Sequence, residues 1–109
     1  MTDASAMGVV EGPTQFIIHN RAEVRQRVRA QLEQGRSTVV VDMSRTEYVD
    51  SAGLGTLVLL NKEARAAGGC LVLAGLNEHV RDLLRLVRLD EVFTIAADVE
   101  AAGKVAAPC

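Results

Sequence analysis

From Arg21 to Gln34 the apolar positions Val24, Val28 and Leu32 recur every fourth residue, which predicts a helix with a narrow buried stripe. Asn20 stands at its N-cap position and Gly35 at its end. Upstream, Val9-Val10 reads as a short first strand closed by the turn pair Gly12-Pro13, and Gln15-Phe16-Ile17-Ile18 as a second. Val39-Val40-Val41 is an unbroken β-branched run, as expected of a central strand. A second helix from about Ser51 to Ala67 presents Leu54, Leu57, Val58 and Ala64 on one face and stops at Gly68-Gly69. Leu71 to Ala74 form the next strand. Asn77 caps a third helix whose Val80, Leu83, Leu84 and Val87 fall at i, i+3, i+4 and i+7. Val92-Phe93-Thr94-Ile95 reads as a last strand, and Asp98 as the cap of a terminal helix that dissolves before Pro108. Helix and strand alternate, so the pattern predicts an α/β layer with helices lying on a sheet. Residues 1–8, small and polar, are expected to be a loose tail ahead of a single domain over residues 9–109.

Composition narrows the class. Aromatic residues make up 3% of the 109 residues and apolar residues 49%, so the core must be aliphatic, which suits a largely parallel sheet covered by helices. With 12 basic and 14 acidic residues, the net charge of −2 argues against a nucleic-acid binder. The arginine rows Arg21, Arg25, Arg29 and Arg81, Arg85, Arg88 share their helices with Glu23, Glu33, Glu78 and Asp82, the composition of a solvated face with local ion pairs. Cys70, within an apolar run, reads as a buried small hydrophobe, and with Cys109 at the end it suggests no disulfide framework. The start Met-Thr-Asp-Ala-Ser lacks the basic and apolar regions of a signal peptide. No apolar run approaches the ~18 residues of a membrane span, so the cytoplasm is the expected compartment.

The candidate chemistry sits at the start of the second helix, in Asp50-Ser51-Ala52-Gly53. A helix N-terminus leaves backbone N–H groups unpaired and carries partial positive charge. Asp50 or Ser51 can cap it, and capping alone would explain both residues. Ser51, however, has only small neighbours, so its hydroxyl is open to phosphorylation, and the N–H groups of Gly53 and Leu54 could hold the phosphate. A hydrolase is disfavoured: a nucleophile elbow needs Gly-x-Ser-x-Gly, and Val49 occupies the first glycine position. His19 and His79 show no arrangement with an acid, and the histidines and cysteines have no metal-ligand spacing. Gly53-Leu54-Gly55 begins like a dinucleotide fingerprint, but Val58 stands at the third glycine position. No enzyme activity, metal or cofactor is expected.

Val-Val-Val-Asp-Met-Ser from Val39, Tyr-Val-Asp-Ser-Ala-Gly-Leu-Gly from Tyr48, and Ala-Gly-Gly-Cys-Leu-Val-Leu-Ala-Gly-Leu from Ala67 together resemble the STAS family of sulfate transporters and anti-sigma factor antagonists. Val80 to Phe93 is similar to that family's third helix and closing strand. The resemblance implies a mixed, mostly parallel four- to five-stranded sheet with helices packed on it. It implies an anti-sigma factor antagonist that binds an anti-sigma factor serine kinase when unphosphorylated and is released when Ser51 is phosphorylated. A phosphatase would reset the switch, and a weak homodimer is compatible with it. The phosphate would lie beside Asp50 and near Asp42, at the end of the central strand. The expected partner-binding set is Asn20, Asp50, Ser51, Ala52, Gly53, Leu54, Gly55 and Asn61, with Asp50 shaping the turn and Gly53 and Gly55 keeping the helix start open. One departure stands out: many of these antagonists carry Gly-x-Leu-Asp before the first helix, where this chain has Ile18-His19-Asn20-Arg21. The alternative role within the family is a scaffold or regulatory subunit of a stress-signalling assembly or transporter, without a phosphoswitch.

Overall fold

The computed structural model describes residues 7–105. Four strands form the main sheet: β1 (Met7–Glu11), β3 (Thr38–Asp42), β5 (Cys70–Ala74) and β6 (Thr94–Ala96), in the order β1-β3-β5-β6 and parallel throughout. β2 (Gln15–Phe16) and β4 (Tyr48–Val49) pair only with each other, also in parallel. The helices are α1 (Arg21–Glu33), α2 (Ser51–Ala66), α3 (Glu78–Leu86) and α4 (Val99–Ala102).

Alternation along the central strands divides the core in two. Val39 and Val41 of β3, with Leu71 and Leu73 of β5, pack against Val24 and Val28 of α1, Leu57, Leu60 and Ala64 of α2, and Val80 and Leu84 of α3. On the opposite face Val40, Cys70, Val72, Ala74 and Ala96 meet Ala102 of α4. Both faces of β3 and β5 are therefore covered, which is why their sequences read as continuous apolar runs rather than alternating ones. Cys70 is fully buried, as its neighbours implied, but it is not a free thiol. Cys109 and residues 1–6 lie outside the described residues, while Met7 and Gly8, assigned above to a tail, begin β1 and pair with Thr38 and Val39.

Three other expectations are corrected. Ile17 and Ile18 leave the strand at Phe16 and turn into α1. Asn20 precedes α1 but does not cap it; its Oδ1 accepts from the Ile17 N–H (3.0 Å) and its Nδ2 donates to the Gln15 carbonyl (2.7 Å), stapling its own loop. Val92 and Phe93 are not strand, because their N–H groups turn back to the Leu89 carbonyl (3.1 and 3.3 Å) after α3.

Asn77 does cap α3. Its Oδ1 accepts from the Val80 N–H (2.8 Å), and its Nδ2 donates to the Thr46 carbonyl (3.1 Å) in the loop leading to β4. Asn77→Ala removes both and is expected to cost about 1–2 kcal/mol in denaturant unfolding. Asn77→Asp keeps the cap but sets a carboxylate oxygen against that carbonyl, so it should recover only part of the loss.

Candidate functional site

β3 ends at Asp42, and the chain crosses through β4 to start α2 at Ser51, so the start of α2 sits beyond the carboxyl end of the central strand. Asp50 makes that start. Its backbone is extended (φ −85°, ψ 178°), and its Oδ1 accepts from the Gly53 N–H at 2.7 Å, a full N-cap. Its Oδ2 accepts from the Ile18 N–H at 3.1 Å, and its own N–H donates to the Phe16 carbonyl at 3.1 Å. One aspartate thus ties α2 to the loop before α1.

The Gly53 bond foremost, with further N–H bonds from Ile18 and Ala52 and the nearby Arg21 charge, holds the Asp50 carboxyl below the usual carboxylate range against a smaller opposing effect of desolvation. A depressed folded pKa contributes stability that is present above the unfolded value, about 3.9, and is lost as pH falls below it through the folded value. Thermal melts of the parent and Asp50→Asn should therefore differ at pH 7 and converge on acidification below about pH 4. A gap unchanged down to pH 3 would contradict the carboxylate's role.

Because Asp50 caps, Ser51 does not. Ser51 is the first helical residue, it is exposed, and its hydroxyl has no hydrogen-bond partner among the described residues. The expected phosphate cradle is already filled, however: the Gly53 N–H is held by the Asp50 carboxylate, and the Leu54 N–H by the Asp50 carbonyl at 2.9 Å. A group added to Ser51 therefore projects outward. Asp42 is not close company either. It follows Thr38 and Val40 on the α4 side of the sheet, its Oδ1 accepts from the Ser44 N–H (3.1 Å), and α2 lies on the other side.

The remaining residues of the expected set divide sharply. Ala52 and Leu54 are partly exposed, and Leu54 packs toward the core. Gly53 is buried and cannot touch a partner; a Cβ there would lie 2.7 Å from Phe16 Cδ1 and 2.9 Å from its carbonyl carbon. It is glycine so that β2 can press against α2. Gly55 is exposed, and a Cβ there would meet nothing within 4 Å. Asn61 is 4% exposed, and its Nδ2 donates to the Val92 carbonyl at 3.4 Å, a link between α2 and the segment before β6. Asn20, busy within its loop, sits just before Arg21 at the rim.

Two rim residues escaped the sequence reading. Ile18 is 57% exposed and Tyr48 47%, the first bonded to Asp50 through its N–H and the second two positions before it. Both are large apolar side chains left outside the core on the two segments that lead to Asp50 and α1. Tyr48 is the only tyrosine of the chain, which was the available signal. Among the described residues no group of three or more His, Cys, Asp or Glu side chains could hold a metal ion, and no helix is long and apolar enough to cross a membrane.

The STAS domain family model matches residues 3–102. BtrV of Bordetella bronchiseptica, named for an anti-sigma factor antagonist role, is 35% identical over 84 residues, 77% of this chain and 72% of BtrV. A crystal structure of a Thermotoga maritima protein assigned to the anti-sigma factor antagonists superposes with a TM-score of 0.77 at 27% identity, covering 94% of this chain and 87% of that one. The Bacillus protein SpoIIAA in its phosphorylated form gives a TM-score of 0.70 at 20% identity, covering 94% of each chain, which speaks to the fold alone.

Proposed function

This chain belongs to the STAS domain family, and from that premise we propose that it is an anti-sigma factor antagonist switched by phosphorylation of Ser51. The carrying observation is the division of labour at α2: Asp50 satisfies the helix end, leaving the Ser51 hydroxyl exposed and unbonded. In the unphosphorylated state the surface around Ser51, with Ile18 and Tyr48 as apolar anchors, binds an anti-sigma factor that is also a serine kinase, and the sigma factor is set free. The kinase transfers the γ-phosphoryl group of its own ATP to Ser51 Oγ; the hydroxyl proton leaves and ADP is formed, so this chain needs no nucleotide site.

The phosphate brings about −1.5 to −2 charges at neutral pH next to the Asp50 carboxylate, which is held ionised. With the N–H groups of Gly53 and Leu54 taken, neutralisation within the fold is left to Arg21, whose charge already acts on Asp50. Within an interface, like-charge repulsion and desolvation of the dianion oppose binding. Release follows from the surface change without rearrangement of the sheet, and a phosphatase restores the hydroxyl.

The test is phosphopeptide mass spectrometry on the protein taken from its own cells and on purified protein incubated with the kinase and ATP. A single phosphate on Ser51 is expected. A bound kinase that leaves Ser51 unmodified under ATP would instead mean a scaffold.

A further inference from the structure

The groove between α1 and α2 is lined by Arg21, Ala22, Arg25, Gly55, Thr56 and Leu59 and encloses about 180 Å³. Its floor is unusual. Gly55 is the fifth residue of α2, where glycine weakens a helix relative to alanine. Gly53 is explained by Phe16, but a Cβ on Gly55 would meet nothing within 4 Å, so no packing inside this chain requires its absence. The omission instead leaves the helix backbone open to close approach from outside.

The walls carry charge that the chain balances only in part. Arg21 forms no ion pair within 4.0 Å among the described residues. Arg25 reaches Glu63 Oε1 only at 3.5 Å, the same oxygen that Arg29 holds at 2.6 Å, while the other oxygen accepts from Arg29 Nε at 2.9 Å. Arg25 Nε is buried and has no hydrogen-bond partner. Two arginines therefore line a space too small for a nucleotide or drug-sized ligand, which takes roughly 300 Å³ or more, but sized for one side chain. Ala22 and the partly exposed Leu59 offer an apolar wall for its methylene stem.

We propose that this groove is a docking slot for an acidic side chain of the partner protein, its carboxylate between Arg21 and Arg25 and its backbone over Gly55. The proposal rests on the partner-binding reading of the α2 start. Gly55 lies four residues, about one helical turn, beyond Ser51, so the slot and the phosphorylated hydroxyl belong to one surface.

The probe is a capped hexaglutamate peptide titrated into the ¹⁵N-labelled full chain, with capped hexaglutamine as control. Amide shifts centred on residues 21–25 and 55–59 are expected with the glutamate peptide only. Gly55→Ala should raise Tm by about 3–6 °C while weakening the peptide about threefold or more, a pairing that a purely structural glycine would not produce. Arg21→Gln should weaken the peptide while moving Tm far less than Gly55→Ala does, since its charge is only a minor contributor at Asp50. No binding, shifts centred on Arg81 and Arg85 instead, or a Gly55→Ala variant that binds like the parent would each overturn the proposal. The titration involves neither kinase nor phosphate, so its failure leaves the Ser51 switch standing. Loss of the switch, with Ser51→Asp binding the kinase as the parent does, would leave the slot.

Discussion

Ser51→Asp is expected to bind the anti-sigma factor kinase about a hundredfold more weakly than the parent, whereas Ser51→Ala binds within a few-fold and stays bound when ATP is added. The magnitude follows from juxtaposing like charges in an interface, which costs several kcal/mol, with each 1.4 kcal/mol worth a factor of ten. Asp50 is the fixed negative charge: its carboxylate is held by backbone N–H groups, those of Gly53 and Ile18 among them, and cannot swing away without uncapping α2. A carboxylate at position 51 carries less charge than a phosphate, so true phosphorylation should weaken binding further. Calorimetric titration measures all four states, and the loss should shrink in higher salt as exposed charges are screened. Equal affinities for Ser51→Asp and the parent would end the charge mechanism. The Ala variant separates charge from size, since it removes only a hydroxyl that has no hydrogen-bond partner among the described residues.

Gly53→Ala should be the most damaging single methyl group in the molecule. Its Cβ would lie 2.7 Å from Phe16 Cδ1 and nearer still to the Phe16 carbonyl oxygen. That carbonyl accepts from the Asp50 N–H, and Phe16 is fully buried in the core, so neither ring nor backbone can yield cheaply. Overpacking of this kind costs about 1–3 kcal/mol, and a domain of this size loses roughly 4–8 °C of Tm per kcal/mol. Differential scanning calorimetry should show a fall of about 10 °C, opposite in sign to the rise at Gly55 two residues on. Phosphorylation by the kinase should suffer too, because Asp50, Ile18 and Ser51 are positioned through the same contact.

Much of this was legible in the residue pattern because long elements announce themselves. Val24 and Val28, Leu57 and Ala64, and Val80 and Leu84 are buried as their spacing required. Ser51 was placed at the first turn of α2 by its small neighbours and the apolar run behind it. The misses are short or depend on distant partners. β4 is two residues long and exists only through its pairing with β2, so no period could reveal it. Nothing local says that Asp50 reaches Ile18, 32 positions back, or that Asn20 serves its own loop instead of α1. α3 ends through Arg88 in a left-handed conformation (φ 61°), with the Leu89 N–H bonded to the Leu84 carbonyl. Glycine would normally signal such a stop, so the turn that carries Val92 and Phe93 away from a strand had no marker.

The β2–β4 ribbon stands apart from the four-stranded sheet, joined by two residue pairs of its own. Ile18, Tyr48 and Asp50 are all strung from its ends, so the proposed recognition elements hang on an outrigger rather than on the hull. Substituting Thr14–Arg21 and Glu47–Tyr48 with another family member's residues would refit that outrigger while the aliphatic keel below keeps its register. A cell holding several such chains could in this way keep parallel signalling lines insulated using one common frame.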